Sequence, residues 1–270
     1  MKKVKFLLAL LTVSGLFGST AQAQTPPKPT IHDKWAMIVG IDNYQDTLLN
    51  TNKRVENARK FLNFLTASAG FKPDHCFVFL EKEASRRNVM ASLGATVLPQ
   101  CVQNDDLLII YFSTSTSPSS VDPQGLNFIL FQDSLFSNAY STGLKMQSLT
   151  NTIQSRVHCK NVVIILDGEF SQNALLSSES SRENDFFRGR EERSKPMIIC
   201  SGNLTKNGKF NNNEFTDRLI TAFKSKGQNT TISEALIHLK NPEAHGNKVA
   251  LDSTLSISSP AAYPRNCRPR

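Results

Sequence analysis

After residue 23 the chain has no run approaching about 18 consecutive apolar residues, the length a helix needs to cross a bilayer, so no membrane-spanning helix is expected there. Histidine is sparse. His32, His75, His158, His238 and His245 are scattered, none with a partner at metal-ligand spacing, and no zinc site is expected. Cysteine is scarce and odd in number: Cys76, Cys101, Cys159, Cys200 and Cys267 cannot all pair within one chain, so at least one thiol stays free or bridges to another molecule. The charge excess is modest, with 31 Lys and Arg against 23 Asp and Glu, net +8, and three of the lysines lie in the first five residues. Without those three the net charge is +5, and the remaining Lys and Arg are dispersed rather than gathered with aromatics along one stripe. That pattern predicts no nucleic-acid surface.

What the sequence does contain begins with an export signal over residues 1–23. Lys2, Lys3 and Lys5 form a charged start, Phe6 to Phe17 an apolar core, and Ala21-Gln22-Ala23 a small-residue cleavage site before Gln24. The apolar core is short for a membrane span, and no cysteine follows it that could carry a lipid. The mature protein is therefore expected to be periplasmic or secreted. Residues 24–34 are a proline-rich lead-in, residues 35–258 hold enough chain for one sizeable α/β domain with a full core, and residues 259–270 are a tail.

The domain is organised around Asn161 to Gln172, N-V-V-I-I-L-D-G-E-F-S-Q. Val162 to Leu166 are apolar and all but Leu166 are β-branched, which predicts a strand buried on both faces and ending at Asp167-Gly168. A strand of the same kind over residues 107–112 ends in Ser113-Thr114-Ser115-Thr116. Further strands are predicted from Trp35 to the polar tip Asp42-Asn43-Tyr44, and over residues 76–80, 126–131, 196–202 and 248–258. Helices are predicted over residues 53–65, 84–98 and 144–153 and around Leu219, Ile220 and Phe223; in the first, Val55, Ala58, Phe61, Leu62 and Leu65 follow helical spacing. Alternating strands and helices imply a parallel sheet with right-handed crossovers. Chemistry in such a sheet sits just beyond the carboxyl ends of its strands, here at Ser115, Asp167 and Glu169.

At these two strand ends the sequence resembles the caspase-like cysteine peptidases, especially the orthocaspase and metacaspase branch. In that family the first strand ends Y-F-S-G-H-G, whose His is the general base, and the second ends D-x-C-H-S-G, whose Cys is the nucleophile. Tyr111 to Thr116 here reads Y-F-S-T-S-T and Asp167 to Gln172 reads D-G-E-F-S-Q. Ser115 thus stands at the His position and Glu169 at the Cys position, 54 positions later, where the family has about 50. The opening W-A-M-I-V-G-I-D-N-Y is similar to the family's A-L-L-I-G-I-N-x-Y, and Glu56-Asn57-Ala58 takes the place of its N-D-A. Residues 125–133 follow its D-G-x-x-x-L-x-P-x-D segment, Gly208-Lys209-Phe210 and Phe215-Thr216 its G-x-F-T helix, and Thr231 to Leu236 its T-x-x-E-L segment. The resemblance implies a caspase-hemoglobinase-like three-layer α/β sandwich, with a mostly parallel sheet of about six strands flanked by helices.

Thiolate chemistry needs a soft nucleophile and an imidazole to take its proton, and Ser115 with Glu169 supplies neither. The first reading is therefore an exported pseudopeptidase that binds a peptide or protein, such as an active caspase-like relative, as a decoy or regulator. The second is an Arg/Lys-directed hydrolase of that family working through other residues, Ser115 activated by Glu169, or Cys200. Asp167 occupies the position at which relatives help to form a pocket for a substrate Arg or Lys. It either holds such a cation or ends its strand by accepting hydrogen bonds from the chain around it. Some metacaspases need calcium, for which Asp105 and Asp106 are the nearest acids; the other reading puts both at the strand entrance, facing solvent. No other cofactor is implied. Cys101 and Cys159 precede strands that the family places side by side, which admits a disulfide between them, and Cys200 reads as a small core residue or a displaced nucleophile. Residues 173–195, the most polar stretch, fall where relatives carry the loop cut during maturation.

Overall fold

The computed structural model describes residues 31–117, 120–124, 126, 128–168, 196–201, 214–225 and 230–240. The expected leader over 1–23, the polar loop 173–195, the expected strand at 248–258 and the expected tail lie outside the described residues.

Five strands form one parallel sheet: β1 (Lys34–Gly40), β2 (Cys76–Leu80), β3 (Leu107–Ser113), β4 (Asn161–Asp167) and β5 (Met197–Cys200), in spatial order β2-β1-β3-β4-β5. β1, β3 and β4 are buried at every position, as their near-continuous apolar runs require of strands covered on both faces. Alternation along each strand divides the core in two. Trp35, Met37, Val39, Leu108, Ile110, Phe112, Ile164 and Leu166 face one layer, where they meet helices α2 (Arg86–Gly94) and α5 (Met146–Arg156), with short helices α3 (Leu98–Cys101) and α4 (Ala139–Thr142) beside them. Ala36, Ile38, Ile109, Tyr111, Val163 and Ile165 face the other, against α1 (Arg54–Ala67), α6 (Phe215–Lys224) and α7 (Ile232–Lys240). The result is a three-layer α/β sandwich. No described helix is long and apolar enough to cross a membrane.

The chain leaves β1 towards β2 on one side and then returns past β1 to β3, β4 and β5 on the other. Direction therefore reverses between β1 and β3, the place where open parallel sheets leave a crevice at their carboxyl ends. β1 and β3 end level, with Gly40 opposite Ser113, and β3 and β4 end level, with Ser113 opposite Asp167. At Gly40 the first helix comes so close that a Cβ would lie 2.6 Å from that of Ala58. α7 opens with a reciprocal capping box, in which the Glu234 amide donates to Thr231 Oγ1 at 3.1 Å and the Thr231 amide to Glu234 Oε2 at 2.9 Å.

Several expectations need correction. Among its described residues the stretch 126–131 forms no strand of the sheet: Ile129 pairs in isolated antiparallel bridges to Thr116 and Leu144, outside the five named strands. The helix expected over 84–98 breaks after Gly94, where the amides of Ala95 and Thr96 both donate to the Ala91 carbonyl and Pro99 enters the next short helix near its start. Cys159 is a free, buried thiol whose Sγ contacts the Asp106 carbonyl at 3.2 Å; Cys101 is disulfide-bonded, but not to it.

Candidate functional site

Two loops shape the carboxyl edge of the sheet. After β1, Asp42 turns back onto the start of α1, its Oδ1 accepting from the Arg54 amide at 2.8 Å and its Oδ2 from the Val55 amide at 3.3 Å. This cap comes from a distant residue because the residue before the helix, Lys53, is left-handed at φ 66° and has no side-chain acceptor to offer. After β3, the Ser115 amide donates to Tyr44 Oη at 2.8 Å and Ser115 Oγ donates to the Leu49 carbonyl at 3.0 Å. These two bonds tie the β1 and β3 exits together across the crevice.

The centre of the edge is the Asp167 carboxylate, which is fully buried. Its Oδ2 accepts from Asn57 Nδ2 at 2.9 Å, Tyr111 Oη at 2.9 Å, Ser113 Oγ at 3.1 Å and Thr216 Oγ1 at 2.8 Å. Arg54 reaches Oδ1 at 3.2 Å and the Asp167 carbonyl at 3.2 Å through the same nitrogen. Tyr111 Oη and Thr216 Oγ1 are also only 2.6 Å apart, so two hydroxyl protons serve three short contacts around one carboxylate oxygen. Burial, and then the Asp167 charge, hold the Tyr111 phenol well above its ordinary range. Alongside, Ser201 Oγ bonds the Gly168 carbonyl and accepts from the Gly168 amide at 3.3 Å, which joins the exits of β4 and β5.

Of the expected site residues, Asp167 and Ser115 both stand at this edge, and Glu169 lies outside the described residues. Among the described residues no base contacts Ser115, and Glu169, the base expected for it, is not one of them. Its hydroxyl proton is given to a backbone carbonyl, and its neighbour Tyr44 is pushed up to about 12, chiefly by burial, so the phenol stays neutral. Burial likewise pushes the Cys200 thiol up to about 12, which leaves almost no thiolate at neutral pH. Cys200 is thus a core side chain. His32, His75 and His158 precede β1, β2 and β4 at the amino end of the sheet, opposite the crevice. Asp106 does not face solvent: it is buried at the β3 entrance, where Oδ2 accepts from Trp35 Nε1 at 3.1 Å and the Gln103 amide at 2.9 Å. Asp105 is ion-paired with Lys160. Among the described residues no group of three or more His, Cys, Asp or Glu gathers to hold a metal.

The residues that sequence reading missed are Arg54, Asn57, Tyr111 and Thr216, all partners of one acid. A signal for Arg54 existed: it lies four residues before Ala58 and seven before Phe61, on the same helical face as the core positions, so helical periodicity places it inward. The acid it meets comes from 113 positions away, and that pairing is set by the fold alone.

No family model matches the chain, and no curated protein matches it. Among solved structures it is similar to one described as pro-sf-caspase-1, at 12% identity and a TM-score of 0.44, over 88% of this chain and 93% of that one.

Proposed function

We propose that the chain is an exported caspase-like pseudopeptidase, a binding or regulatory module that does not cleave its ligand. The observation that carries this reading is the state of Asp167 and Ser115. Both oxygens of the Asp167 carboxylate are engaged by the chain's own donors, one of them the Arg54 guanidinium. Ser115 gives its hydroxyl proton to the Leu49 carbonyl. In this reading Asp167 is an anchor of the fold, and a ligand docks on the surrounding loops. The export leader and the disulfide at Cys101 fit an oxidising compartment. A caspase-like relative that retains its Cys and His is the proposed partner.

The test is hydrolysis of peptide reporters with Arg, Lys or Asp before the scissile bond, with and without calcium, beside Ser115→Ala and Glu169→Ala variants. No turnover is expected under any of these conditions. Turnover that disappears in either variant would overturn the pseudopeptidase reading and establish a hydrolase with substituted residues.

A further inference from the structure

The sequence holds five cysteines, and the structure sorts four of them. Cys76, Cys159 and Cys200 carry free thiols, and Cys101 is in a disulfide. The fold accounts for the three free thiols: Cys76 Sγ donates to the Lys72 carbonyl at 3.4 Å, Cys159 Sγ donates to the Asp106 carbonyl at 3.2 Å, and Cys200 packs in the Trp35 layer. Within one chain, that leaves Cys267 as the cysteine able to pair with Cys101. Cys267 lies outside the described residues.

The two ends of such a bridge belong to opposite sides of the sheet. Cys101 closes α3 and is 4% exposed in the Trp35 layer. The described chain ends at Lys240, the last residue of α7, whose Leu239 is buried in the layer of α1. The 26 residues between them and the tail cysteine, 241–266, span about 90 Å when extended, against roughly 30 Å for the thickness of a three-layer sandwich. The tail is therefore long enough to carry Cys267 from the α1 side around to Cys101. A disulfide is exchanged only by an attacking thiolate, and burial pushes the Cys76, Cys159 and Cys200 thiols up to about 12. None of the three competes for the bridge at neutral pH.

We infer that Cys101 and Cys267 form an intrachain disulfide that straps the carboxyl-terminal segment across the fold, from the α1 layer to the Trp35 layer. The bridge closes a loop running from 101 to 267, so it restricts the unfolded chain far more than the folded one. In forming it the two thiols give up two protons and two electrons to a disulfide oxidant such as oxidised glutathione, which is reduced to two thiols. This inference is independent of the pseudopeptidase reading and needs only an oxidising compartment.

The full chain, equilibrated with oxidised and reduced glutathione, then unfolded in guanidinium and alkylated with iodoacetamide, tests this. Three alkylated cysteines are expected before reduction and five after it, and the tryptic peptide Asn266–Arg270 should separate from the peptide carrying Cys101 only on reduction. The reduced parent should unfold at a temperature about 10 °C below the oxidised parent, the scale of a long-loop disulfide in a domain of this size. Reductant should leave the unfolding temperature of Cys267→Ser unmoved. Five alkylated cysteines before reduction would overturn the inference. So would Cys101 recovered in a bridge to Cys76, Cys159 or Cys200, or in a dimer on non-reducing electrophoresis. An equal effect of reductant on the parent and on Cys267→Ser would also overturn it, since the stabilising bridge would then lie elsewhere.

Discussion

Arg54 and Asp167 depend on each other. A carboxylate with four donors on one oxygen and a guanidinium on the other is satisfied only as a set, and removing one member of a buried pair costs more than the pair itself contributes. Arg54→Ala should therefore destabilise the protein by about 3–5 kcal/mol in urea titrations, the penalty for stranding a buried charge. Asp167→Asn in that background should recover part of the loss, because an amide keeps most of the surrounding hydrogen bonds without the charge. Additive losses in the double variant would show that the two side chains act independently. Asp42 is of a different kind: it contributes by capping α1 from outside the helix, and its loss carries the smaller cost of a cap, about 1 kcal/mol.

At the level of elements, the site depends on how tightly α1 lies against β1. Gly40 is the contact point, where a methyl group would meet the Ala58 side chain at 2.6 Å, Leu80 at 3.1 Å and the Arg54 carbonyl at 3.2 Å. Gly40→Ala must push the first turn of α1 away from the sheet, and it carries Arg54 and Asn57 with it. The expected cost is about 1–3 kcal/mol, as for other overpacked cores. The same shift should loosen the Asp167 cluster, so Gly40→Ala and Arg54→Ala should be less than additive. Thermal unfolding of both single variants and the double variant measures this. If the losses add fully, helix position and the buried ion pair are uncoupled.

For the whole molecule, the buried titratable groups set the response to alkali. Cys76, Cys159 and Cys200 are each pushed up from 9.0 to about 12 by burial, so the folded chain keeps three protons that the unfolded chain releases first. Their stabilising contribution is complete below pH 9 and is lost as pH rises towards 12. Lys34 has the opposite sign. Burial lowers its amine from 10.5 to about 8, so the folded chain gives up that proton first and stability rises with pH across this window. Three thiols against one amine leave a net fall above pH 9. The urea midpoint should therefore drop between pH 8.5 and pH 10.5, values on the order of the thiol and amine range. Replacing the three thiols by alanine should reduce or reverse that drop, whereas an unchanged slope would assign alkaline unfolding to other groups.

Much of this architecture is determined by local sequence. The runs 107–112 and 162–166 are strands buried on both faces because no polar residue interrupts them, and 76–80 and 197–200 are strands for the same reason. The ends of β3 and β4, and so the places of Ser115 and Asp167, follow from where those apolar runs stop. Tertiary structure decided what local pattern cannot carry. Apolar residues at 126–131 look like a strand, but among the described residues the segment pairs in isolated bridges at Ile129, outside the five-stranded sheet. Asp106 looks like a solvated strand entrance, but Trp35 Nε1 arrives from a strand 71 positions away to bury it. Asp167 reads equally as a cation pocket or a strand end. The choice depends on Arg54, Asn57, Tyr111, Ser113 and Thr216, which come from a helix on one side, a neighbouring strand and a second helix. A buried charge is resolved by the partners that converge on it in space, and sequence order does not record that convergence.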